Sequence, residues 1–180
     1  MISQLPLCVD LDGTLIFDDV SQKAFKILLK EFRFKDLFRV FFSSFKGIAS
    51  MKQEIASCVD LNPAEIKYNE SFLKFLKDEK EKGRKIFLAT GANKKYATVI
   101  ADYLGIFEKV FASSSSKNLI AEQKAKCLSE EFGEFAYAGN SMSDIAVWKR
   151  SAECIVVAPF KGVISALKTE KIEYTLFEPK

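Results

Sequence analysis

Two carboxylates, Asp10 and Asp12, stand two residues apart in the segment Asp10-Leu11-Asp12-Gly13-Thr14. In an extended chain they point to the same side and repel each other unless a cation intervenes. Gly13 permits a turn that would swing the second carboxylate over a ligand, and the Thr14 hydroxyl is expected to satisfy backbone groups of that loop. Taken alone, the pair fits a metal-binding or helix-capping arrangement as well as it fits catalysis. Three further segments could complete a site. Leu88-Ala89-Thr90-Gly91 offers a hydroxyl and a flexible amide directly before a helical pattern. Unpaired N–H groups and the helix dipole favour a phosphate there, although Thr90 serves equally well as a plain N-cap. Lys124 falls at the start of a helical pattern, where one cation could neutralise both an aspartate and a phosphate oxygen; most lysines, however, are solvated surface residues. Ala138-Gly139-Asn140-Ser141-Met142-Ser143-Asp144 carries two oxygen donors, Asn140 and Asp144, four residues apart. Oxygen ligands with few carboxylates suit magnesium, which retains waters.

The rest of the composition narrows the chemistry. The chain contains no histidine, which removes the commonest general base and the commonest transition-metal ligand together, and with them histidine-dependent triads and typical zinc catalysis. None of Cys8, Cys58, Cys127 and Cys154 has an arginine six positions later or a second cysteine at Cys-x-x-Cys spacing. The loop of a cysteine-based phosphatase is therefore missing, and the cysteines read as buried reduced thiols of a reducing, cytoplasmic compartment. Hydrolysis here must run on carboxylates, lysines, hydroxyls or a hard metal. A net charge of +3, spread without a basic block, gives no reason to expect nucleic acid as a partner. The start Met1-Ile2-Ser3-Gln4-Leu5-Pro6 lacks the basic and apolar regions of a secretory signal. No apolar run approaches the ~18 residues of a membrane span.

These residues need a frame to hold them. At 180 residues the chain has the length of one domain with room for an insertion. Leu5 to Leu11 is an apolar run that ends on acidic residues and a glycine, which suits a buried strand with Asp10 at its carboxyl edge. Lys85 to Ala89, Lys109 to Ala112, Phe135 to Ala138 and Cys154 to Ala158 are expected to be further strands. Between them, helical patterns over Ser71 to Lys82, Asn93 to Leu104 and Leu119 to Phe132 close on Gly83, Gly105 and Gly133, where a helix end needs a left-handed residue. The alternation predicts an α/β fold, a Rossmann-like parallel sheet with helices on both faces and ligands bound beyond the carboxyl ends of the strands. Residues 17–68 break the alternation. They are read as a small helical cap inserted in a core made of residues 1–16 and 69–180, with Asn62-Pro63 marking a turn near its end. Within the insertion, Phe34, Phe38, Phe41, Phe42 and Phe45 share one helical face. That face is expected to be the cap's own core, with a substrate wall or a membrane-facing stripe as the other readings. Ser113 to Ser116 is too short for a linker.

The four segments, in this order and at these strand ends, resemble the haloacid dehalogenase (HAD) superfamily over most of the chain. The resemblance implies that Asp10 is the nucleophile, Asp12 the general acid and base, Thr90 with Gly91 the phosphate-binding group, and Lys124 the lysine that accompanies them. It implies magnesium held on the side of Asp10, Asp12, Asn140 and Asp144. The insertion resembles the small helical cap of phosphoserine-phosphatase-like members. Pro6 to Leu15, Tyr68-Asn69-Glu70, Ala101 to Phe107 and Tyr137 to Ser141 with Val147-Trp148 are similar to the HAD domain that precedes polyprenyl (UbiA-like) prenyltransferases. That likeness raises the expectation of a membrane-linked C-terminal region and of membrane association through it. Many members carry Asp where this chain has Asn140, which supplies an oxygen without its charge. Asp10, Asp12, Asp144 and a phosphate dianion carry about −5, and magnesium with Lys124 returns about +3, so a protonated Asp12 leaves about −1. Asn140 is thus compatible with catalysis. The expected activity is magnesium-dependent phosphomonoester hydrolysis through an aspartyl phosphate, on a small molecule, a lipid-linked phosphate or a protein phosphotyrosine. The alternative class is a non-catalytic phosphate-binding or regulatory domain.

Overall fold

A computed structural model describes residues 5–115 and 117–177. Met1 to Gln4 of the N-terminal segment and Ser116 of the serine run lie outside the described residues. The Leu5 to Leu11 run becomes a three-residue ladder, β1 (Leu7–Val9), and every residue of it is buried. Its side chains alternate between two cores: Leu7 and Val9 pack into one and Cys8 into the other, as expected of a strand covered on both faces. β1 pairs in parallel with β2 (Ile86–Asn93) and β4 (Ala136–Gly139). β3 (Lys109–Ser113) lies outside β2, and β5 (Glu153–Val157) and then β6 (Thr175–Phe177) lie outside β4. The sheet is entirely parallel, in the order β3-β2-β1-β4-β5-β6.

The helices of the frame are α4 (Glu70–Glu81), α5 (Lys94–Leu104), α6 (Ala121–Phe132), α7 (Ile145–Trp148) and α8 (Val163–Thr169). Phe72 and Leu76 of α4 and Tyr96, Ala97 and Ile100 of α5 join Leu7 and Val9. Leu128 of α6, Trp148 of α7 and Leu167 of α8 join Cys8 on the opposite face. Gly105 and Gly133 take positive φ at the C-termini of α5 and α6, where a Cβ would strain the chain. One boundary differs from expectation. β2 runs on past Ala89 through an irregularity between Thr90 and Asn93, and α5 begins only at Lys94. Its cap is Asn93, whose side chain accepts the Lys95 N–H at 2.9 Å; the N-cap reading of Thr90 is thereby replaced.

Residues 17–68 hold α1 (Val20–Lys30), α2 (Phe34–Ser44), α3 (Ile48–Cys58) and a 3-10 turn, Pro63–Glu65. Entry and exit lie side by side: Phe17 N–H donates to Lys67 O at 3.1 Å, and Asn69 N–H to Leu15 O at 2.9 Å. α3 docks on α5 through Tyr96, whose hydroxyl donates to Val59 O at 3.1 Å, and through Lys95, whose Nζ donates to Ala56 O at 2.7 Å. α2 leans on α3, but Val40 is its one buried residue. Phe34, Phe38, Phe41, Phe42 and Phe45 are instead 54–74% exposed. The expectation that they form the core of the insertion is corrected: helical spacing puts residues on one face, and here that face stays largely in water.

Candidate active site

The four segments meet at the carboxyl ends of β1, β2 and β4 and the first turn of α6. The Asp10 N–H continues the ladder by donating to Ala138 O at 2.9 Å. The chain then folds back, with Leu11 O accepting the N–H groups of Thr14, Leu15 and Ile16. This turn needs Gly13 (φ 75°), and a Cβ there would stand 2.2 Å from Asn140 Nδ2. The loops after β1 and β4 are therefore fitted against each other. Asn69 braces the same turn: its Nδ2 donates to Thr14 O at 3.3 Å while its Oδ1 caps α4 by accepting the Phe72 N–H. Thr14 Oγ1 is buried without a hydrogen-bond partner among the described residues. Its expected role in satisfying the loop is corrected, because that loop closes through backbone bonds to Leu11 O.

Lys124 is the centre of the cluster. Its buried Nζ lies 3.1 Å from Asp10 Oδ1 and 3.1 Å from Asp144 Oδ1, and 5.0 Å from the centre of the Tyr137 ring. Asp144 is fully buried and uses both oxygens. Oδ1 also accepts from the Tyr137 hydroxyl at 2.7 Å, and Oδ2 accepts from Asn140 N–H, Ser141 N–H and Ser141 Oγ at 2.8–3.1 Å. Burial opposes its ionisation, but Lys124, Tyr137 and Ser141 outweigh burial and hold the carboxyl below the usual range. Burial would strip Lys124 of its proton, yet the two carboxylates beside it push its pKa up. For Asp10 the balance reverses: burial raises its pKa against the pull of Lys124. Asp144 thus stays an anion that fixes Lys124 and the Asn140 turn, and Asp10 is the carboxylate left facing open space.

That space is a cavity of about 200 Å³ whose walls include Asp10, Asp12, Thr90, Gly91, Lys124 and Asn140. Asp144 lies behind Lys124, off the wall. Asp12 Oδ1 accepts the Val20 N–H at 2.9 Å at the start of α1. Burial, then the neighbouring Asp19, raises the Asp12 carboxyl to about 7, against the Val20 N–H and Lys52. Thr90 Oγ1 accepts the Ala92 N–H at 3.0 Å, which leaves its own proton to donate. Both side-chain atoms of Asn140, Oδ1 and Nδ2, are buried without a partner among the described residues. A buried amide so placed is costly unless something binds it.

Sequence reasoning missed Lys52 of α3, whose Nζ lines the cavity and donates to Gly91 O at 3.1 Å. It also missed Ser141 and Ser143 on the wall and the Tyr137 hydroxyl behind it. Lys52 carries no local signal, since only the docking of α3 brings it there. Among the described residues no three Asp, Glu, Cys or His side chains gather to hold a metal. A cation at Asp10 and Asp12 would lean on the Asn140 amide oxygen, backbone carbonyl groups and water, a donor set that fits a hard, water-retaining ion.

No protein-family model matches the chain. Among solved structures it is similar to a HAD family hydrolase from Salmonella enterica serovar Typhi, with TM-score 0.65 and 11% identity over 89% of this chain and 66% of that one. The fold is that of the haloacid dehalogenase superfamily. Two further HAD-fold neighbours are structures of phosphoserine phosphatase. The apo form has TM-score 0.65 and 15% identity over 98% of this chain and 95% of that one. A phospho-aspartyl intermediate analogue has TM-score 0.61 and 14% identity over 97% and 93%. In sequence the chain is 31% identical over 179 residues to an uncharacterized protein of Sinorhizobium fredii, y4nM, covering 98% of this chain. It spans 34%, about a third, of that relative's length.

Proposed function

We propose that this HAD-fold chain is a magnesium-dependent phosphomonoester hydrolase with Asp10 as nucleophile. One observation carries the reading: a buried lysine neutralises Asp10 and Asp144 together, while the orphaned Asn140 amide and the second carboxylate, Asp12, face the same small cavity. The phospho-aspartyl analogue solved for phosphoserine phosphatase supports an aspartyl phosphate as the intermediate.

In this reading Asp10 Oδ attacks phosphorus in line, the P–O bond to the alcohol breaks, and Asp12 delivers its proton to the leaving oxygen. A carboxyl held near pH 7 is suited to both directions of transfer, so Asp12 then takes a proton from the water that cleaves the aspartyl phosphate. Thr90 Oγ1 and the Gly91 amide hold the equatorial oxygens, and Lys124 balances their charge. Asp10, Asp12 and Asn140 would hold magnesium, which supplies electrostatic stabilisation of the phosphoryl oxygens; Asp144 acts through Lys124 and the Asn140 turn. Residues 17–68 act as the cap, bringing Lys52 to the cavity rim. The thiols, all free, fit a reducing compartment.

Hydrolysis of p-nitrophenyl phosphate with and without magnesium, beside Asp10→Asn, tests this. Magnesium-stimulated turnover that Asp10→Asn abolishes is expected; equal rates for the two proteins would end the catalytic reading.

A further inference from the structure

A second, larger cavity adjoins the catalytic one. It is a cleft of about 500 Å³ between α1 and α3, floored by Phe25, Leu29, Met51 and Ile55, with Asp19 and Lys52 at one end. Lys52 belongs to the walls of both cavities. At the same end α1 begins on Asp12, through the Val20 N–H. The cleft therefore starts one side chain away from the group assigned to the leaving oxygen, and follows α1 from Asp19 to Leu29, about 15 Å at helical rise. Asp19, Ser21, Gln22, Lys26 and Lys52 also line it, and Phe25 and Leu29 stay 37% and 49% exposed. Beyond Leu29 the apolar surface continues over Phe32, whose ring lies 6.2 Å from that of Phe34, onto the exposed phenylalanines of α2.

The two cavities differ in what they fit. The catalytic one, at about 200 Å³, falls below the ~300 Å³ at which ligand pockets usually begin, so it suits the phosphate end of an ester better than a whole large substrate. An alcohol leaving group has to extend out past Asp12. The cleft that opens there offers Phe25, Leu29, Met51 and Ile55 to a hydrocarbon chain.

We propose that the substrate is a monophosphate ester of an apolar alcohol, whose hydrocarbon chain lies in the α1–α3 cleft with its phosphate at Asp10. The proposal rests on the phosphomonoesterase reading above. Lys52 stands at the junction, beside the ester end, and Phe25 and Leu29 grip the chain. Specificity then grows with chain length: each methylene laid on the floor raises kcat/KM by about two- to fourfold, the upper figure being that of full burial, until the cleft is filled.

The test is a series of n-alkyl monophosphates of increasing length, each kept below its micellar concentration. It is run beside p-nitrophenyl phosphate, a sugar phosphate and a phosphotyrosine peptide, on the full chain with magnesium. A stepwise rise in kcat/KM that levels off, and a long-to-short ratio that falls at least tenfold in Leu29→Gln and Phe25→Gln, is the expected result. Both side chains are partly exposed, and the ratio within one protein cancels any loss of folded enzyme. A flat series, or a preference for the sugar phosphate or the peptide, overturns the proposal while leaving the phosphatase reading intact. Calorimetric titration of the same series into Asp10→Asn separates the two claims. Affinity that climbs with chain length supports the cleft even if no turnover is seen, and affinity independent of length overturns it.

Discussion

Phe87 and Phe111 in the core with Phe132 packed against them, and Phe38, Phe41 and Phe42 of α2 with Phe45 just past its end, are clusters of the same kind. Ring centroids lie 4.6–6.4 Å apart in the first and 4.9–6.4 Å in the second, tilted or edge-on in both. Their surroundings differ. Phe87 and Phe111 are at most 9% exposed between the sheet and α6, whereas each α2 ring keeps more than half its surface in water. Ring-to-ring geometry contributes about 0.5–1.5 kcal/mol per pair wherever it occurs. Removal from water is worth about 25 cal/mol per Å² and accrues only to the covered cluster. The core thus gains from burial what the insertion's cluster largely forgoes, and the insertion keeps that apolar surface in contact with water.

Six substitutions would break or sharpen that contrast. Asp10→Asn, in the core, should lower hydrolysis by about 10³-fold or more with a melting temperature that does not fall, since burial disfavours the Asp10 charge; steady-state kinetics beside thermal denaturation read both. Lys124→Met leaves Asp10 and Asp144 buried without their cation and should cost about 3–5 kcal/mol in urea unfolding. Lys52→Met, the cavity lysine supplied by the insertion, should stay within about 1 kcal/mol of the parent, and a large loss there would show that α3 is part of the folding core. Phe87→Ala should cost about 3 kcal/mol, against about 1 kcal/mol for Phe41→Ala, which loses ring pairs and little burial; similar losses for the two would refute the difference between the clusters. The smallest effect concerns pH. The Asp144 carboxyl sits below its ordinary value of 3.8, so its contribution is present above that value and is lost as pH falls through the folded value. The stability gap between the parent and Asp144→Asn should therefore narrow below about pH 4, and a gap that widens in acid would contradict the assignment.

Much of the frame was legible because it rests on local signals: apolar runs ending in Asp10, Thr90 and Gly139, and Gly105 and Gly133 where helices stop. β6 escaped because Thr175–Phe177 is a short edge strand facing water on most of its length. α7 and α8, four and seven residues long, are too short to show a period. At the site, the order of the segments at the strand ends and the family resemblance it carries pointed to Asp10, Thr90, Lys124 and Asp144, but not to how they share charge. That Asp144 is spent on Lys124 and on the Asn140 turn follows from the path of the loop after β4. The α2 stripe failed for a related reason: periodicity reports a common face, and only packing reports what lies against it.

Asp10 stands near the beginning of the chain, yet β1 finds one neighbour in β2, at the middle, and the other in β4, beyond residue 135. Such pairings close long loops, an entropic cost met before the contacts form, and they slow folding. During synthesis Asp10 precedes its flanking strand β4, its lysine and the Asn140 turn by more than 110 residues. The cluster that fixes Asp10 therefore forms only after those later segments have been made and have folded against it.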